Sequence, residues 1–167
     1  MKRSIASAVA RVLVVAGLGV IAGTTAFAED SQGSPKPWYS LIGTWTSVVT
    51  HVDCVSGQPT NPLPFQALDS FHLGGTYAQF GSVFGNRRSD GFGVWRRTGR
   101  DTFEASLIFF KFDDATGAIP VATVELERQI RLTGPDTLSS VNKSTIKLLA
   151  TGQVVQRACS LDAAQRF

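Results

Sequence analysis

The sequence predicts an all-β fold, a single eight-stranded antiparallel meander barrel. Three observations predict it. From about residue 44 onward apolar and polar residues alternate in short runs, and helical periodicity disappears. Turn signals divide this stretch into eight segments with short connections, so consecutive segments are expected to pair with each other. The chain has two cysteines, and Cys54 lies at the end of the first segment while Cys159 lies in the last. A bond between them ties first strand to last, and these are neighbours only if the sheet closes on itself. Closure also removes the exposed edges of an open sheet. A β-sandwich would need longer crossovers than most of these connections allow.

The first strand is expected over about 44–55, ended by Ser56-Gly57-Gln58-Pro59. Next come 65–73 and 76–82, joined at Gly74-Gly75. The segment 92–98 follows the loop VFGNRRSDG and turns at Gly99-Arg100 into 102–113. DDATGA leads to 121–132, TGPD to 137–149, and Thr151-Gly152 to about 153–166. Ahead of the barrel domain (41–167), Trp38 to Ile42 is expected to form one short helical turn. Residues 29–40 read as a polar, proline-bearing leader.

Residues 1–28 read as a bacterial-type signal peptide. They have a basic start at Lys2-Arg3, a short apolar core broken by glycines, and Ala26-Phe27-Ala28 as the exit. The expected localisation is therefore secreted or periplasmic, with cleavage after Ala28 and no membrane insertion afterwards. The full chain has a formal net charge of +3. Lys2, Arg3 and Arg11 all lie in the expected signal peptide, so the remainder is neutral. That balance gives no support for a nucleic-acid partner. In an exported chain an even cysteine count reads first as a disulfide.

Alternation assigns faces. In 121–132, Ala122, Val124, Leu126, Arg128, Ile130 and Leu132 share one side, and Glu125, Glu127 and Arg131 the other; the apolar side must face in. Ser140, Asn142, Ser144 and Ile146 then point inward from the seventh strand. A two-residue turn at Gly74-Gly75 would put Phe71, Asp69, Ala78 and Phe80 inside, and His72 and Tyr77 outside. A two-residue turn at Gly99-Arg100 would put Val94, Arg96 and Phe103 inside and Trp95 outside. Facing Trp45 inward also turns in Ser47, Val49, His51 and Asp53. If Cys54 lies opposite Cys159, His51 faces Asp162 and Arg166 faces Ser47, with a two-residue offset keeping the faces but changing partners.

Gly43-Thr44-Trp45 at the head of the first strand, the eight-strand meander and a basic residue near the chain end resemble the lipocalin and wider calycin barrels. The strings FHLGGT, GFGVWRRTG and the terminal RF are similar to those of a group of secreted bacterial calycin-like proteins. The resemblance implies that Trp45 closes one end of the barrel and that Arg166 packs over it in a cation–π contact. The second and third lipocalin signatures have no counterpart here.

The expected lumen therefore holds His51, Asp53, Asp69, Arg96, Arg128, Asn142 and Asp162 among apolar walls. Buried charges are costly unless paired, so these groups either satisfy one another or meet a ligand. The expected function is binding of a small apolar or amphipathic ligand in the lumen. Arg128 or Arg96 would anchor it, and His51, Asp69 and Asn142 would line the site. One alternative is a cofactor-free isomerase or cyclase with His51, oriented by Asp162, as general base. Another is an envelope interaction protein with a filled core that uses its outer face around Trp95. No cofactor or metal site is implied, since His51 and His72 fall on opposite faces. No G-x-S-x-G motif is present. Arg87 and Arg88, in the glycine-flanked loop, read as a solvated loop or part of a lid.

Overall fold

The computed structural model describes residues 40–60, 63–83 and 87–167. The expected signal peptide and nearly all of the polar leader lie outside the described residues. Eight strands form one closed barrel in sequence order: β1 (Gly43–Val52), β2 (Phe65–Phe71), β3 (Thr76–Gly81), β4 (Gly91–Arg97), β5 (Thr102–Phe112), β6 (Pro120–Leu132), β7 (Thr137–Leu148) and β8 (Val154–Arg166). Every neighbouring pair is antiparallel, including β1 with β8. Residues 40–42 are not helical, in contrast to the expected turn there. Leu41 is fully buried and its carbonyl accepts the Trp45 indole N–H at 2.9 Å.

The long strands carry the expected faces. Ala122, Val124, Arg128, Ile130 and Leu132 of β6 are buried, as are Leu138, Ser140, Asn142 and Ile146 of β7 and Ser160, Asp162 and Ala164 of β8. Cys54 and Cys159 form the disulfide, with Cα atoms 5.2 Å apart. The β1–β8 register is offset by two from one that sets the cysteines directly opposite. Trp45 pairs with Arg166, His51 with Ser160 and Val52 with Cys159. The reason is that β1 ends at Val52, and Asp53 and Cys54 have already left the ladder. Asp53, expected inside, instead caps this turn, accepting the Val55 and Ser56 N–H groups at 3.0 and 2.7 Å.

Two hairpins differ from expectation in the same way. His72 N–H donates to Thr76 O at 2.9 Å, so the β2–β3 loop is Leu73-Gly74-Gly75, three residues rather than two. Gly74 and Gly75 both take positive φ, +94° and +85°, which side chains on other residues resist. Thr98 N–H likewise donates to Thr102 O at 3.0 Å around Gly99-Arg100-Asp101. One extra loop residue shifts each register by one and flips one strand of each hairpin. In β3, Tyr77 and Gln79 therefore point in and Phe80 points out. In β4, Trp95 points in, edge-on to Phe71 and Phe103 at 6.2 and 5.8 Å, while Arg96 points out. Phe80, Phe92, Val94, Ile108 and Phe110 are left as exposed apolar side chains on the outer wall.

The interior has three levels. One end is sealed by an apolar floor that includes Leu41, Trp45, Phe71, Phe103, Leu132 and Leu138. Arg166 covers it with its guanidinium carbon 4.2 Å from the Trp45 ring centre, donating to the carbonyls of Ile42 and Ser40 at 2.8 Å each. Gly43 is required beside Trp45, because its φ is +135° and a Cβ there would lie 2.6 Å from Arg166 Nη1. A polar layer fills the middle. Above it, toward the end where β1, β3, β5 and β7 finish, lies a lumenal cavity.

Candidate functional site

The polar layer is centred on Arg128, whose side chain has no exposed surface. Its Nη1 donates to Asp69 Oδ1 at 2.7 Å and also meets the Tyr77 hydroxyl. Its Nη2 donates to Asp162 Oδ2 at 2.6 Å and Ser140 Oγ at 3.1 Å, and its Nε donates to Asn142 Oδ1 at 3.1 Å. Asp69 accepts further bonds from Ser47 Oγ, Tyr77 OH (2.5 Å) and Gln79 Nε2 (2.9 Å). Asn142 Nδ2 donates to Asp162 Oδ1 at 2.7 Å and to Ser160 Oγ at 3.0 Å. Six of the eight strands thus contribute to one buried network.

This layer holds two carboxylates and one guanidinium. Burial pushes both carboxyls upward, but they end on opposite sides of the ordinary value. At Asp69 the burial effect is outweighed by Arg128 and the donors Ser47, Tyr77 and Gln79, and the carboxyl is held low. At Asp162 burial is reinforced by the Asp69 charge, and Arg128, Ser140 and Asn142 offset it only in part, so the carboxyl is raised. Burial lowers the Arg128 guanidinium, but Asp69, Tyr77 and Asp162 more than reverse this and keep it charged.

The residues expected to meet a ligand divide three ways. Arg128, Asp69 and Asn142 come together, but they bond to one another within the buried layer. Arg96 leaves the lumen entirely; it is exposed on the outer wall and paired with Glu104. His51 faces inward, half-buried and tilted against the Phe65 ring at 5.3 Å. Its cross-strand partner is Ser160, and the Asp162 oxygens accept from Arg128, Ser140 and Asn142, so Asp162 does not orient His51 by direct opposition. Tyr77 and Gln79, placed outside by the two-residue turn, are core members of the layer.

Above the layer lies a cavity of about 130 Å³. Its walls are Val49, Phe65, Phe109, Val124, Leu126 and Ile146, and its base is Gln79, Asn142, Ser160 and Asp162. His51 and Arg88 stand at its side. A larger depression of about 460 Å³ lies on the outer wall, but its lining is mostly outward side chains such as Arg96, Glu104, Glu127 and Lys143. Ligand sites are concave and mainly apolar, with a few convergent polar groups, and the lumenal cavity has that composition. An engineered cavity of roughly 150 Å³ accepts benzene, so this one fits a single ring or a short chain.

No protein-family model and no curated protein matches the chain. Among solved structures it is similar to EF1p2_mFAP2b bound to DFHBI, with 17% identity, a TM-score of 0.51, and coverage of 76% of this chain and 94% of that one. The chain has a calycin-like barrel fold. It is also similar, more distantly, to the S-type phycobiliprotein lyase CPES from Guillardia theta, at 11% identity and a TM-score of 0.35, covering 78% and 90%.

Proposed function

We propose that this calycin-like barrel is an exported protein that holds a small, largely apolar molecule in its lumen. The observation that carries the proposal is the cavity above the Arg128 layer. Its walls come from β1, β2, β5, β6 and β7, and its polar base is hydrogen-bonded into the Arg128 layer. The Cys54–Cys159 disulfide is compatible with the oxidising compartment that export implies. A fold does not fix a function, but the DFHBI-bound barrel is a precedent for a small molecule held by a protein of this shape. His51, Ser160, Asn142 and Asp162 form the polar side of the site, and the layer beneath holds Asn142 and Asp162 in place.

The test is native mass spectrometry of the protein purified from its own host, beside an Ala158→Phe variant. Ala158 lines the cavity, and a phenyl ring there occupies the space proposed for the ligand. Overpacking of this kind costs about 1–3 kcal/mol, which leaves a stable domain. The wild type should carry a bound small molecule that the variant lacks. A bare wild-type mass, or the same adduct on both, would contradict a lumenal ligand.

A further inference from the structure

Arg88 is a second arginine at the lumenal cavity. It sits just before β4, yet its backbone is bound to β5: Ser89 N–H donates to Phe110 O at 2.9 Å and Phe112 N–H to Arg87 O at 2.8 Å. This pairing fixes the arginine on the barrel rim. Its side chain turns into the lumen, with the guanidinium carbon 3.8 Å from the Phe109 ring centre. Gly81 makes the room: a Cβ there would lie 2.6 Å from Arg88 Nη1 and 3.3 Å from its guanidinium carbon.

The guanidinium is used on one side only. Nε donates to the Ser89 carbonyl at 3.0 Å. Nη2 is buried and has no hydrogen-bond partner among the described residues. An orphaned buried donor of this kind is rare and costly. Burial pulls the Arg88 pKa down to about 10, while Tyr77, Asp90 and Asp69 act to raise it, so the group remains a cation at neutral pH. Unlike Arg128, which is saturated by carboxylates, Arg88 presents a charged donor beside an apolar cavity.

We infer that the lumenal site selects a small carboxylic acid, with Arg88 binding the carboxylate and the ring or short chain lying against Phe109, Val124 and Ile146. This rests on the lumen-binding function proposed above and adds the chemical class. A planar guanidinium with a free N–H edge matches a carboxylate, and a charge-assisted bond is stronger than one to a neutral oxygen.

The probes are benzoate, its neutral isostere benzamide, and benzene. Binding is followed by the methyl resonances of Val124 and Ile146 in wild type, Arg88→Gln and Gly81→Ala. Gly81→Ala keeps the arginine but forces its guanidinium to shift. Benzoate should bind wild type roughly tenfold or more tightly than benzamide; Arg88→Gln should erase that preference and Gly81→Ala should weaken it. Equal binding of acid and amide, or a preference that survives Arg88→Gln, overturns the assignment. If benzene shifts the cavity methyls but benzoate does not, the acid class is wrong and lumenal binding stands. If none of the three shifts them, both fall.

Discussion

Replacing Arg128 by methionine should destabilise the protein by about 3–5 kcal/mol, the range for removing one partner from a buried ion pair. The side chain is fully enclosed and compensates two carboxylates at 2.7 and 2.6 Å. Without it, Asp69 and Asp162 face each other's field in a buried interior, and Asn142, Ser140 and Tyr77 lose a shared donor. Domains of this size have about 5–15 kcal/mol in total, so the midpoint of chemical denaturation should fall sharply. Adding Asp69→Asn and Asp162→Asn should recover much of the loss, because no unpaired charge then remains.

The pH dependence of that loss has a defined sign. In the wild type Asp69 is held low, so its contribution is present above the ordinary aspartate value and is lost as pH falls through the lowered one. Asp162 is raised, so its effect runs the other way, favouring the fold at low pH and fading as it ionises. Removing Arg128 raises both carboxyls. The gap between wild type and Arg128→Met should therefore narrow as pH is lowered toward about 4. A single-variant cost under about 1 kcal/mol, or a gap that widens on acidification, would contradict the charge balance described for this layer.

Loss of the disulfide should have the second largest effect. Cys54 and Cys159 are 105 residues apart in sequence, and cross-linking a loop of that length contributes up to ~4–5 kcal/mol in the chain-entropy model. Measured costs of removing a native disulfide are typically about 2–5 kcal/mol, so a Cys54→Ser, Cys159→Ser variant should fall in that range by denaturant unfolding. The bond sits where β1 leaves the ladder, so amide exchange should accelerate first at Val49–Val52 and at their β8 partners Cys159–Asp162. A change below about 1 kcal/mol, or uniform acceleration around the barrel, would show that strand pairing alone closes it.

The long strands were legible because each alternates over many residues and is bounded by clear turns. Nothing local could mislead the assignment of Arg128, Asn142 or Asp162 to the interior. The two glycine hairpins were not, because Gly-Gly and Gly-Arg fit a two-residue turn as well as part of a three-residue one. That ambiguity hid Tyr77 and Gln79 and moved Arg96 and Trp95 to the wrong faces. One signal in the sequence could have resolved the first hairpin. An inward Asp69 needs donors; the observed register sets Tyr77 and Gln79 beside it, whereas the alternative offers Ala78 and Phe80. The offset of the β1–β8 ladder follows from Asp53, whose turn-capping role ends the strand early. Arg88 was beyond reach, because its entry into the lumen depends on the room left by Gly81 and on backbone pairing with β5.

Binding of a small apolar group in the lumen above the Arg128 layer is tested most directly by titrating the wild-type protein and Ala158→Phe with benzene, read on every methyl resonance. Shifts confined to Val49, Val124, Leu126 and Ile146 in the wild type, and absent in the variant, are the predicted result. Shifts on the outer wall at Val94 and Ile108, or none at all, would contradict it.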